Sequence, residues 1–151
     1  MEKSREVTEV LNDLVMINND RIAGYNRAIR ELKPGDGDLK LLFDRMIIES
    51  QQIKSDLANE IQVLHGDVEK GSSEMGKIYR AWMDVKAVFT GENRHTILSN
   101  CEEGEDAVQR AYKKALEIDR LPAFLRDLLS NQQNMLRYSH DEIRNLRNQY
   151  A

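Results

Sequence analysis

The sequence predicts an all-α protein, a four-helix bundle of two helical hairpins joined by a long crossover that contains a shorter fifth helix. Three observations lead there. Apolar residues recur at three- and four-residue spacing over long runs, which is the period of one helix face. Charged residues make up 32% of the 151 residues, aromatics 6%, and prolines number two; Val, Ile and Thr never cluster in strand-like alternation. Finally, Asn18–Leu32 (NNDRIAGYNRAIREL) and Glu105–Ile118 (EDAVQRAYKKALEI) share one pattern: a polar residue, a Tyr seven places on, then basic-Ala-aliphatic. Tyr25 precedes Asn26-Arg27-Ala28-Ile29, and Tyr112 precedes Lys113-Lys114-Ala115-Leu116. That is the mark of an internal duplication.

The first helix is expected over residues 4–33, with a stripe of Val7, Leu11, Leu14, Asn18, Ile22, Tyr25, Ile29 and Leu32. Pro34-Gly35-Asp36-Gly37 ends it in a tight turn, so the second helix is its antiparallel neighbour. That helix starts at Asp38 and runs to about His65, where Gly66 stops it. Its line is Leu42, Met46, Glu49, Ile53, Leu57, Ile61 and Leu64, with Gln52 bordering it. A polar loop over 65–73 leads into a shorter helix over 74–90, striped by Ile78, Trp82, Val85 and Phe89 and ended by Gly91. The next long helix covers 93–119, with Leu98, Cys101, Glu105, Val108, Tyr112 and Ala115 in line. Pro122 opens the last helix, which reaches about Asn148. Its line is Leu125, Leu128 or Leu129, Gln132, Leu136, His140, Ile143 and Leu146.

The whole chain, 1–151, reads as one domain: a hairpin over 4–66, a crossover over 67–92 and a hairpin over 93–149. A bundle helix of this size is about 40 Å long, and the crossover, part helix and part extended, can span that length. An up-down-up-down bundle with an added helix is the competing layout.

The net charge of −4 is mild, and no basic run or basic-aromatic interleave supports nucleic-acid binding. Cys101 is the sole cysteine, so no intrachain disulfide forms, and it is expected as a small buried hydrophobe. The start has no apolar signal core, no run is long enough to span a bilayer, and no helix has a strongly basic face for a membrane surface. The expectation is a soluble, cytoplasmic protein. Ser139-His140-Asp141 are consecutive on a helix, so their side chains diverge and form no triad. His65 and His95 fall at helix ends or loops and are expected in solvent.

Four helices each set a polar residue in an apolar line: Asn18, Glu49, Glu105 and His140. Burying a carboxylate costs several kcal/mol unless a metal, a protein cation or a proton compensates. The pattern resembles ferritin-like di-metal carboxylate proteins, which place a Glu on the first and third helices and a Glu-x-x-His pair on the second and fourth. Half of that set is replaced here. Glu105 with Tyr112 keeps the pattern, while Asn18 stands before Tyr25 where Glu is expected. Glu49 is followed by Gln52 instead of His, and His140 is preceded by Arg137 instead of Glu. The stretches LNDLVMINNDRIAGY, KIYRAWMDVKAVFTG and CEEGEDAVQRAYKKALE resemble a bacterial family of ferritin-like bundles described as a domain of unknown function.

The resemblance implies the fold over nearly the whole chain and assigns no reaction. Two functional expectations follow. In the first, the chain is a non-catalytic structural or interaction protein. Arg137 or His140 pairs with Glu49 and Glu105, and Tyr25 and Tyr112 donate to them, with Asn18 and Gln52 completing a buried network. In the second, Glu49, Glu105 and His140 hold one divalent iron, manganese or zinc ion, with Asn18 and Gln52 peripheral; residual di-iron oxidase or ferroxidase chemistry is its extreme form. An inward Arg137 would argue against a metal. Trp82, Phe89 and the crossover helix either seal the bundle or offer a surface for a homo-oligomer.

Overall fold

Pro34-Gly35 breaks the first apolar stripe, and Gly35 takes a φ of +101°, a left-handed conformation that suits glycine. The chain therefore reverses sharply between α1 (Glu2–Glu31) and α2 (Gly37–Val63). The computed structural model describes residues 2–64, 76–85, 88–119 and 121–149. The expected loop over 65–73, with His65 and the helix stop at Gly66, lies outside them. The remaining helices are α3 (Lys77–Val85), α4 (Arg94–Leu116) and α5 (Ala123–Gln149).

The second hairpin has visible local causes. Asn93 caps α4, its side chain accepting from the Thr96 N–H at 2.9 Å. The turn into α5 is closed by Arg126, which donates to the carbonyls of Leu116 at 2.6 Å and Ile118 at 3.0 Å. The Leu116 carbonyl is among the last of α4, which have no partner within the helix, and the Ile118 carbonyl also accepts from the Leu121 N–H at 3.4 Å.

Side-chain contacts between helices show their directions. Arg94, at the start of α4, holds Asp36 and Asp38 at the start of α2, so these two helices run the same way. Arg45 and Glu49 of α2 meet Glu142 and Ser139 of α5, in reversed order. The long helices thus run up, down, down, up. A plain up-down-up-down bundle would set α4 against α2, so the layout is two hairpins and a crossover.

The crossover helix α3 is pinned to α1 by two buried or half-buried acids. Asp13 accepts from the N–H groups of Gly76 (2.9 Å) and Tyr79 (3.2 Å) and so caps α3 from another helix. Asp20 accepts from the Tyr79 hydroxyl at 2.7 Å and Trp82 Nε1 at 2.9 Å. This helix is shorter than its periodicity suggests: residues 88–91 are not helical, Val85 is exposed, and residues 74, 75, 86 and 87 lie outside the description. Phe89 is buried, but from a non-helical segment whose Thr90 carbonyl accepts from Asn100. Trp82 and Phe89 are both buried in their own bundle and so seal it, the first of the two roles expected for them.

The core is split. One cluster holds the first half of α1, the second half of α2, α3, the end of α4 and the start of α5; Leu11, Leu14, Ile53, Leu57, Trp82 and Leu129 belong to it. The other holds Tyr25, Leu39, Phe43, Met46, Phe89, Leu98, Cys101 and Ile143. Cys101 is indeed a buried thiol, and burial raises its pKa. Among the described residues no helix is long and apolar enough to cross a membrane.

Candidate functional site

A polar layer crosses the bundle between the two apolar clusters. At its centre is Arg21, which is fully buried. Its Nε and Nη2 grip the two oxygens of Glu105 at 2.8 Å each, the forked geometry in which guanidinium matches carboxylate. The same Nη2 lies 3.0 Å from Glu49 Oε1. Nη1 donates to Ser50 Oγ at 2.8 Å and to the Met46 carbonyl at 3.2 Å. The Tyr25 ring lies beneath the guanidinium, 5.3 Å from centroid to Cζ.

From Arg21 the bonding runs through all four long helices. Ser50 Oγ donates to Asn18 Oδ1 at 2.8 Å, and Asn18 Nδ2 donates to the Leu14 carbonyl at 2.8 Å and the Tyr112 oxygen at 3.4 Å. The Tyr112 hydroxyl donates to Gln132 Oε1 at 2.8 Å. On the other side, Ser139 of α5 donates to Glu49 at 2.9 Å. Such a chain satisfies most of its members and specifies how four helices align.

The sequence-predicted residues separate into those the layer includes and those it does not. Asn18, Glu49, Glu105 and Tyr112 are in it. Tyr25 is buried beside it, but its hydroxyl has no hydrogen-bond partner among the described residues; the ring packs against Phe43 and Phe89. Gln52 is exposed and bonds Asp56 one turn along the same helix. Arg137 is exposed too, donating to Asn134 at 3.1 Å, so it is not the cation of the core. His140 turns aside to Asp106, Asp141 and Glu102, while the α5 position facing Glu49 is Ser139, one residue earlier. His95 is exposed.

The residue that sequence reasoning missed is Arg21, with Ser50 and Ser139 behind it. Its signal is positional. Arg21 falls three residues after Asn18 and four before Tyr25, on the same helix face, whereas Ile22, assigned to the stripe, is only half-buried.

Charge explains the arrangement. Two carboxylates and one guanidinium leave the layer one negative charge in excess if both acids ionise. Burial raises the pKa of Glu49, against the pull of Arg21 and Ser139. Since the folded value lies above the ordinary 4.5, the protonated acid gains on folding. That contribution is present at low pH and is lost as pH rises through the raised value. Glu49→Gln, which mimics the protonated acid, is therefore expected within ~1 kcal/mol of wild type at pH 7. The wild type should gain on the variant as pH falls towards 4.5. Denaturant unfolding of both proteins at several pH values checks this; a loss of several kcal/mol at pH 7 alone would contradict it.

The donor set does not fit a di-metal centre. Glu105 has both oxygens committed to Arg21, and a fixed positive charge stands between the carboxylates that would bridge two ions. Among the described residues, one group of His and acidic side chains has ligand atoms all within 4.8 Å of one another: Glu102, Asp106 and His140, on the α4–α5 face.

A crystal structure described as ferritin-like, diiron-carboxylate proteins from Bacillus anthracis str. Ames superposes with a TM-score of 0.68, covering 97% of this chain and 96% of that one at 18% identity. At that identity the likeness speaks for the fold, which is ferritin-like. No curated protein matches the sequence. The model of the family described as domain of unknown function, DUF2383, matches residues 6–118, and the chain belongs to that family.

Proposed function

We propose that the chain is a non-catalytic ferritin-like bundle, a structural or interaction protein in which Arg21 takes the role of counter-charge that metal ions fill in di-metal relatives. The observation that carries this is the forked pair of Arg21 with Glu105, both partners buried and Glu49 within 3.0 Å of the same guanidinium. A guanidinium brings no redox chemistry and no open coordination position. It supplies charge balance and direction, which is what a scaffold needs. The protein is expected to be cytoplasmic and to associate with itself through surfaces other than Trp82 and Phe89.

The second reading, one ion held by Glu49, Glu105 and His140, asks Arg21 to leave Glu105 and His140 to leave Asp106. Residual di-iron oxidase chemistry asks for more, since Asn18 and Ser50 already hold each other. Elemental analysis after aerobic purification tests the proposal. The expected result is at most one transition-metal ion per chain, with no ferroxidase activity. Two iron equivalents per chain with iron-dependent oxygen consumption would overturn it.

A further inference from the structure

We propose that Glu102, Asp106 and His140 form a mononuclear site for a divalent transition-metal ion on the α4–α5 face, outside the Arg21 layer. Glu102 and Asp106 stand one turn apart on α4, and His140 faces them from α5. Their candidate ligand atoms all lie within 4.8 Å of one another. An ion at about 2.0–2.2 Å from each nitrogen or oxygen donor fits among atoms so placed.

The imidazole gives the independent argument. His140 Nδ1 lies 3.0 Å from Asp141 Oδ1. An ionised carboxylate only accepts, so Nδ1 is the donor, and in a neutral ring Nε2 then carries a bare lone pair. Nε2 is shut off from water and makes no hydrogen bond. Yet it lies 2.6 Å from Asp106 Oδ1 and 3.9 Å from Glu102 Oε2. A bare lone pair turned to two carboxylate oxygens repels them, so a proton or a metal ion belongs among the three. Asp141 meanwhile orients the ring through its far nitrogen, the carboxylate–histidine arrangement that supports metal ligands. Arg147 holds Glu102 Oε1 and so leaves Oε2 facing the histidine. Three protein donors leave a fourth position open. The competing occupant is a proton, which would make His140 an imidazolium among three acids.

The experiment is calorimetric titration of Zn²⁺ into the metal-stripped full chain. The expected result is one ion per chain. Asp141→Asn is expected to weaken binding by ~10-fold or more, and His140→Ala by at least as much. His95→Ala, an exposed histidine elsewhere, should bind as wild type does. Circular dichroism checks that the variants fold; if His140→Ala does not, Asp106→Asn asks the same question from a half-exposed position. Absence of Zn²⁺ binding, or equal affinity in wild type and His140→Ala, overturns the proposal and leaves the protonated histidine. The site shares no residue with the Arg21 layer, so its failure would leave the proposed function standing.

Discussion

Arg21→Met is expected to destabilise the protein by ~3–5 kcal/mol, because it leaves Glu105 buried and unpaired and removes the cation beside Glu49. Against a typical total of ~5–15 kcal/mol, that approaches unfolding. Methionine keeps most of the volume and the stem, so the loss reports charge and hydrogen bonds more than a cavity. Two companions make the result specific. Lowering the pH should recover part of the loss in Arg21→Met, since protonation relieves the orphaned acids. A second change, Glu105→Met in the same chain, should recover more, because an apolar replacement of a whole buried pair is often neutral or stabilising. Denaturant unfolding of the two single variants and the double gives the coupling energy. Arg21→Met within 1 kcal/mol of wild type would mean that water reaches the layer.

Phe89→Ala should cost ~3–5 kcal/mol, the usual range for emptying a buried aromatic position. The ring is wedged between two helices that each present a glycine. A Cβ placed on Gly24 would fall 2.3 Å from the ring, and one on Gly104 would fall 2.5 Å from it. Both glycines sit inside helices, where each costs ~1 kcal/mol relative to alanine, so their presence is explained by the ring they admit. This predicts a change of sign. Gly104→Ala in the wild type should destabilise by ~1–3 kcal/mol through overpacking. In the Phe89→Ala background it should stabilise, by ~1 kcal/mol, as the helix gains an alanine and the void is partly filled. Thermal unfolding of the four proteins tests it; additivity of the two changes would rule out the wedge.

The sequence made the helices and their pairing legible because periodicity reports burial, and all six stripe residues of α4 are buried. It made Glu49 and Glu105 legible as the charged members of those stripes. Arg21 escaped for a physical reason. A lone arginine on a helix face reads as solvated, since burial is costly without a partner, and its partner is 84 residues away. Arg137 drew attention instead because it occupies a position that matters in related bundles; its own α5 face is exposed. His140 and Ser139 show the limit of register. One residue is a rotation of about 100° on a helix, and a long helix drifts against its stripe by the time it reaches residue 139. Phe89 kept helical spacing with Trp82 and Val85 while lying outside the helix, because the slot made by Gly24 and Gly104 can be seen only with both hairpins in place.

The polar layer also divides the protein unequally in time. Arg21 and Glu49 lie on the same hairpin, 3.0 Å apart, so the N-terminal half carries its own electrical partner as it leaves the ribosome. Glu105 arrives later, on a hairpin whose described residues place no cation in the layer, so its carboxylate becomes dry only by docking onto the first hairpin.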